Sequence, residues 1–313
     1  MVDSEQVRRK FLGSLLGTAI GDAMGASREG RSMVSKHEIG VMARISHRLH
    51  YTDDTHMTIG VAESLIECHG VDGAHMAGRF IENYLKEPWR GYGPGPPRVF
   101  RLIESGVPWD QAASRIYHGG SFGNGAAMRV APIGLFLWNN HAGLREAAYL
   151  SSVITHSHIL GMEGAAIQAM AVALAVALNP DKPLDTQSFT SCLLDFTTED
   201  VYRAKISKFG SLLEHPDERQ KVVEQLGHGI EAFDSVPTAI FAFLTHPKDF
   251  ASTIIYAVSL GGDTDTIAAM AGAISGAYLG MDAIPSEWQE QVENRDYISE
   301  LAGKLWQLAS EQQ

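Results

Sequence analysis

Two short stretches carry residues that could do chemistry: "LHYTDDTHMTIGV" (49–61) and "SLGGDTDTIAAMAGAISGAYLG" (259–280). In the first, the adjacent carboxylates of Asp53 and Asp54 sit between Thr52 and Thr55. Threonine and aspartate are favoured helix N-caps, and acidic side chains are favoured in a first helical turn, so alone this stretch reads first as a solvated helix start. The second stretch constrains more. Asp263 and Asp265 are two positions apart, and on a regular helix such side chains point about 200° away from each other. They can converge only from a turn that precedes the helix. Gly261 and Gly262 supply that turn, with the helix start expected near Thr264 to Thr266.

Two carboxylate–hydroxyl clusters brought together in a partly buried cleft are costly unless a cation compensates them. Oxygen-only ligands (aspartate, threonine hydroxyl, water) suit Mg²⁺ or Mn²⁺, and the lack of a convincing His/Cys set argues against zinc or copper. Four aspartates suit two ions, which lie about 3.5–4 Å apart in binuclear hydrolases. The competing reading is two unrelated capped helices.

The elements that would position these residues are helical. Met57, Val61, Leu65 and Cys68 form one apolar stripe, and Ile254, Val258 and Leu260 belong to another. The spacing predicts helices near 8–23, 54–69, 72–86, 98–105, 109–117, 143–154, 161–178, 186–206, 218–232, 235–245, 249–259, 265–279, 286–293 and 296–311. Alternating β-branched runs are scarce, so the expectation is an all-α, compact, single-domain orthogonal helical bundle spanning 1–313. Gly13, Gly17, Gly21 and Gly25 recur every four residues, a spacing that lines one helix face and lets another helix approach closely. That pattern weighs against reading "RRKFLGSLLGTAIGDAMGA" as a secretory leader. The apolar block "GAAIQAMAVALAVAL" (164–178) falls short of the ~20 residues of a membrane span and reads as a buried central helix.

With 313 residues and 45% hydrophobic content, the chain can bury a sizeable core. Its formal net charge of -12 argues against a phosphate-backbone binder, so no direct nucleic-acid binding is expected, and no membrane partner. Two cysteines, Cys68 and Cys192, lie far apart without CxxC spacing, which fits a reducing, cytoplasmic setting.

In order along the chain, "GTAIGDAMGASREG", "YTDDT", "RGYGPGPP", "GGSFGNGAAMRVAPIGLF", "THSHILGMEGAAIQA" and "GGDTDTIAAMAGAISGAY" resemble the ADP-ribosylglycohydrolase (ADP-ribosyl-acceptor hydrolase) family. That family includes dinitrogenase-reductase activating glycohydrolases and ADP-ribosylserine hydrolases. Each motif alone is weak; their joint occurrence over about 11–280 is specific. The resemblance implies an all-α fold with two Mg²⁺ ions (or Mn²⁺) at the base of an ADP-ribose cleft. By motif, Thr52, Asp53 and Asp54 would ligate one side of the metal pair, and Asp263, Asp265 and Thr266 the other, with Asp265 bridging. Glu29, Asp54 and Asp263 are the candidate catalytic carboxylates; which is acid or base stays open.

Two glycine loops have a mechanical reading beside this. Backbone N–H groups bared by glycines can cradle a diphosphate without basic side chains, although glycine-rich turns are also common structural devices. The candidates are Gly91, Gly93 and Gly95 in "GYGPG", and Ser121, Phe122, Gly123 and Asn124 in "GGSFGNG", with His156 of "THSH" approaching the ligand by resemblance. Phe122 or Tyr92 could stack adenine or serve as packing. No GxSxG elbow exists to support a serine hydrolase. The expected activity is hydrolysis of the bond between ADP-ribose and an acceptor, an ADP-ribosylated protein or polymer, with "SFGNGAAMR" favouring the serine- and polymer-directed branch slightly. Arginine-directed or O-acetyl-ADP-ribose hydrolysis, and a noncatalytic ADP-ribose-binding or structural role, stay as alternatives.

Overall fold

The computed structural model describes residues 4–45 and 48–311. They form a helical domain built from α1 (Ser4–Ala26), α2 (Lys36–Ile45), α3 (Asp53–Cys68), α4 (Gly73–Lys86), α5 (Pro96–Glu104) and α6 (Ala131–Phe136). The chain continues through α7 (Leu144–Val153), α8 (Ile159–Ala177), α9 (Thr186–Phe196), α10 (Asp200–Ile206), α11 (Phe209–Leu213) and α12 (Arg219–Leu226). It closes with α13 (Ala232–Thr245), α14 (Phe250–Ser259), α15 (Thr264–Leu279), α16 (Ser286–Gln291) and α17 (Arg295–Glu311). Among the described residues, extended pairing is limited to two isolated bridges, Leu49 with Val292 and Gly123 with Glu231.

The glycine row of α1 decides the architecture. A Cβ placed on Gly13, Gly17, Gly21 or Gly25 would stand 2.4, 2.3, 2.1 and 2.4 Å from backbone atoms of Gly276, Gly272, Ala268 and Asp265 respectively. One partner number rises as the other falls, so α1 and α15 run antiparallel with their backbones in contact. Only small residues permit that approach. The consequence reaches the chemistry: the C-terminal end of α1 is delivered to the N-terminal end of α15, where the second acidic cluster lies. Lys10, fully buried on α1, caps the end of α8 by donating to the carbonyls of Val176, at 2.8 Å, and Leu178.

Helix α8 lies in the interior, packed by α6, α7, α13 and α15. It alone among the described residues is long and apolar enough to cross a membrane, and it is mostly buried inside the protein. Leu178 ends it in extended conformation.

Several helices differ from the expected ones. The stretch 186–206 is two helices, broken at Thr197, which adopts extended dihedrals while the Thr198 N–H and hydroxyl both donate to the fully buried Glu163. Burying a carboxylate demands donors, and the break supplies them. The expected helix 218–232 stops at Leu226 because Gly227, at φ 86°, turns the chain. Residues 109–117 hold only a 3₁₀ turn, Ala113–Arg115. Helices α2, α6 and α11 lie outside the expected helical segments; all three are short, and α6 is apolar on all sides.

Candidate active site

The turn before α15 is built from glycine. Gly261 and Gly262 have φ of 76° and 74°. A Cβ on Gly262 would also stand 2.0 Å from the carbonyl oxygen of His228, so both conformation and space require glycine there. The turn is tied to the segment after α1 by reciprocal bonds. Gly30 N–H donates to Gly262 O at 2.9 Å, and Gly262 N–H donates to Arg31 O at 2.8 Å. This brings Glu29 beside the second cluster. One carboxylate oxygen from each of Glu29, Asp263 and Asp265 lies within 4.8 Å of the others.

Asp263 occupies the N-cap position of α15 without making a side-chain cap bond. Its carboxylate instead accepts from Asn124 Nδ2, whose amide also donates to Ser235 Oγ at 3.1 Å. The amide nitrogen of Asn124 thus holds Asp263, and the residue is buried. Thr264 Oγ1 donates to Gly25 O at 2.9 Å, and Thr266 N–H donates to Asp265 Oδ1 at 3.0 Å.

The first cluster opens α3 as expected, with Thr52 at the N-cap. A residue outside the sequence-derived set organises it. Asp22, fully buried on α1, accepts from the N–H and hydroxyl of both Thr52 and Thr55, at 2.6–3.0 Å. The only sequence signal is a lone acid inside the otherwise small and apolar "AIGDAMG". Residues leading into the corner are braced as well: Leu49 pairs with 291–293, and Arg90 lies over the Tyr51 ring at 4.2 Å while bonding Glu87 and Glu293.

Electrostatically the two clusters form one unit. Burial, then the negative charges of Asp22 and Asp265, drive Asp53 and Asp54 well above the usual carboxylate range. Burial and Asp265 do the same to Asp263. Asp22 is raised by burial and Asp265 despite its threonine donors. Glu29 is raised chiefly by Asp265, then by partial burial. Asp54 Oδ1 is sealed from solvent without a hydrogen-bond partner. A set of converging hard oxygens, with one lone oxygen left over and, among the described residues, no balancing cationic side chain on it, fits a divalent cation of the magnesium type.

The glycine loops flank this floor. Gly91, at φ 87°, approaches Thr52 and Asp53: a Cβ there would lie 3.7 and 3.8 Å from their side chains. Gly93 has open space around it, and Gly95 heads α5 against the Tyr117 ring. Tyr92 turns inward, bonding His56 Nδ1 at 2.9 Å and packing edge-on to Tyr84, which makes it a packing residue. The second loop docks on the His156–Gly161 segment. A Cβ on Gly120 would meet His158 N at 2.5 Å, and one on Gly161 would meet Ser121 O at 2.9 Å. The Ser121 hydroxyl accepts from Gly123 N–H at 3.2 Å. Phe122 is 44% exposed, its ring supported by His158 and Phe233. His156 is buried against Gly123 and Gly125.

Two acidic clusters meet beneath glycine loops in a helical domain, and the chain belongs to the ADP-ribosylglycohydrolase family, whose profile matches residues 3–313. Its relatives include ADP-ribosylhydrolase ARH3 of mouse (Mus musculus), 37% identical over 96% of this chain and 92% of that protein. An uncharacterized protein of Archaeoglobus fulgidus is 33% identical over 96% of this chain and 97% of its own. Among solved structures, an ADP-ribosylglycohydrolase-related protein complex superposes with a TM-score of 0.77 at 26% identity, covering 97% of this chain and 99% of that one.

Proposed function

We propose that this protein is a divalent-cation-dependent hydrolase that cleaves the bond between the anomeric carbon of ADP-ribose and its acceptor, reversing ADP-ribosylation. Family membership and similarity to ADP-ribosylhydrolase ARH3 support the reaction class. The observation that carries the cation dependence is the convergence of Glu29, Asp263 and Asp265, with Asp54 Oδ1 left unpartnered beside them. Thr52, Asp53 and Asp54 on one side and Asp263, Asp265 and Thr266 on the other would hold two Mg²⁺ or Mn²⁺ ions. Such ions neutralise the acidic cluster and stabilise the charge that develops as the glycosidic bond breaks.

The chain's own residues do the rest. Glycine N–H groups of 91–95 and 119–125 would receive the diphosphate, which lets an acidic protein hold an anion. Phe122 offers an exposed ring face to adenine, and His156 lies behind the loop. Glu29, at the mouth and raised chiefly by the negative charge of Asp265, would take the proton of the attacking water or pass one to the departing acceptor oxygen. Water adds to the anomeric carbon, the acceptor leaves with a proton, and free ADP-ribose results.

The acceptor follows from leaving-group chemistry. A serine alkoxide needs a proton or a cation to leave, whereas a guanidine can leave once its charge state is favourable. No acidic run adjoins "GGSFGNGAAMR" to clamp a guanidinium, so serine-linked or polymeric ADP-ribose is the preferred substrate. The test is release of ADP-ribose from matched serine- and arginine-linked peptides, with Mg²⁺ and after EDTA. Release that needs Mg²⁺ and a higher kcat/KM on serine are expected. Full turnover in verified metal-free protein would refute the cation requirement, and a tenfold preference for arginine would place the protein with arginine-directed enzymes.

A further inference from the structure

His156 is reached by a chain of hydrogen bonds that begins at a buried cation. Arg129 is fully buried, its guanidinium over the Phe80 ring at 4.6 Å and its Nη2 donating to Ser151 O at 2.7 Å. Arg129 Nη1 donates to Gly125 O at 3.2 Å and to Thr155 Oγ1 at 2.8 Å. The same hydroxyl lies 2.8 Å from His156 Nδ1.

Proton counting orders this chain. Arginine only donates, so Thr155 Oγ1 must accept from it and has one proton of its own to place. That hydroxyl is buried, and among the described residues His156 Nδ1 is the only acceptor it reaches. If Nδ1 carried the imidazole proton, the hydroxyl hydrogen would be stranded without a partner, the costly arrangement for a buried polar group. A doubly protonated ring is excluded as well, because burial and the Arg129 charge hold the imidazole down at about 3. The proton is therefore left to Nε2. That nitrogen lies on the loop side: a Cβ on Gly123 would stand 3.4 Å from it and one on Gly125 2.9 Å. His156 keeps 8% of its surface exposed, and Nε2 makes no hydrogen bond within the protein among the described residues.

We propose that Arg129 and Thr155 are positioning residues that lock neutral His156 as its Nε2–H tautomer, giving the 123–125 loop a fixed donor for an oxygen of the bound nucleotide diphosphate or its ribose. The donor's target rests on the ADP-ribose reading above; the tautomer does not. A donor locked this way cannot turn into an acceptor as the ligand arrives, so it discriminates for ligand oxygens and costs no reordering on binding.

Long-range ¹H–¹⁵N NMR on the ligand-free full chain reads the tautomer directly, and calorimetry with ADP-ribose reads the donor. Wild type should show pyrrole-type Nε2 and pyridine-type Nδ1 at neutral pH. Thr155→Val keeps the side chain's shape without the hydroxyl; it should lose the single tautomer and bind ADP-ribose about 3–10-fold more weakly, as for one lost hydrogen bond. Thr155→Ser should restore both. An Nδ1–H tautomer in wild type, or an unchanged tautomer in Thr155→Val, overturns the relay. A changed tautomer with unchanged affinity overturns the donor role. Wild type that shows the Nε2–H tautomer but does not bind ADP-ribose counts against the ligand reading alone.

Discussion

Glu29 and Asp22 act on the same acidic cluster from opposite positions. Glu29 is exposed at the mouth, while Asp22 is fully buried and touches the cluster only through Thr52 and Thr55. Glu29→Gln keeps the shape and removes proton exchange, so turnover should fall by roughly 10²–10⁴-fold. ADP-ribose affinity, measured by calorimetry, should move far less; lost affinity with unchanged turnover at saturation would make Glu29 a binding group. Asp22→Asn places an amide NH₂ among four donors that need an acceptor. The Thr52–Asp54 corner should loosen, and affinity for Mg²⁺ or Mn²⁺ should drop about 10–100-fold, as for other outer partners of metal ligands. Unchanged cation affinity in a titration would remove Asp22 from that role.

At the scale of elements, the contact between α1 and α15 sets the distance between Glu29 and Asp265. The same substitution should therefore have opposite signs at two helical glycines. Gly21→Ala puts a methyl 2.1 Å from Ala268 O, forcing two backbones apart. Overpacking of this kind costs about 1–3 kcal/mol, and turnover should fall with it because the helix ends carry the site. Gly303→Ala, on α17 with nothing within 4 Å of the added atom, should gain up to about 1 kcal/mol from helix propensity. Chemical denaturation of both variants checks the contrast; equal effects would mean that the α1–α15 contact tolerates a side chain.

For the molecule as a whole, the site is a cost to the metal-free fold. Its carboxyls titrate above their ordinary values when folded. At these groups the native state therefore binds more protons than the unfolded chain, and by linkage the stability they contribute is lost as pH rises from about 4 through their raised folded values. His56, His156 and His246, all lowered by burial, act with the opposite sign below about pH 6.5. In EDTA, Tm should decrease between pH 7 and pH 8, above the range in which the histidines titrate in the unfolded chain. Mg²⁺ should raise Tm most at the alkaline end, where the ligands are ionised and a bound ligand stabilises by mass action. Thermal unfolding at several pH values, with and without Mg²⁺, tests this; a Mg²⁺ shift that is largest at pH 5 would contradict it.

What the sequence determined by itself was local. Helical periodicity made the fold all-α, and the four-residue glycine spacing of α1 marked a face for close packing. The Gly261–Gly262 pair marked a turn that lets Asp263 and Asp265 converge, and the positive φ of both glycines is that turn. These features depend on residues within a turn or two of one another, so a one-dimensional pattern can hold them. The break at Thr197 escaped because its cause, buried Glu163, lies 35 positions away in the donor bond of Thr198. Asp22 and Arg129 escaped for the same reason: each gains meaning only from donors or acceptors on another element. Asn124, expected from its loop as a ligand contact, also holds Asp263, 139 residues on, through its amide nitrogen, a partner no loop spacing indicates. Tertiary structure alone decided these partnerships, because a buried polar group is satisfied by whatever the packing of distant helices brings within 3 Å, and no local spacing encodes that.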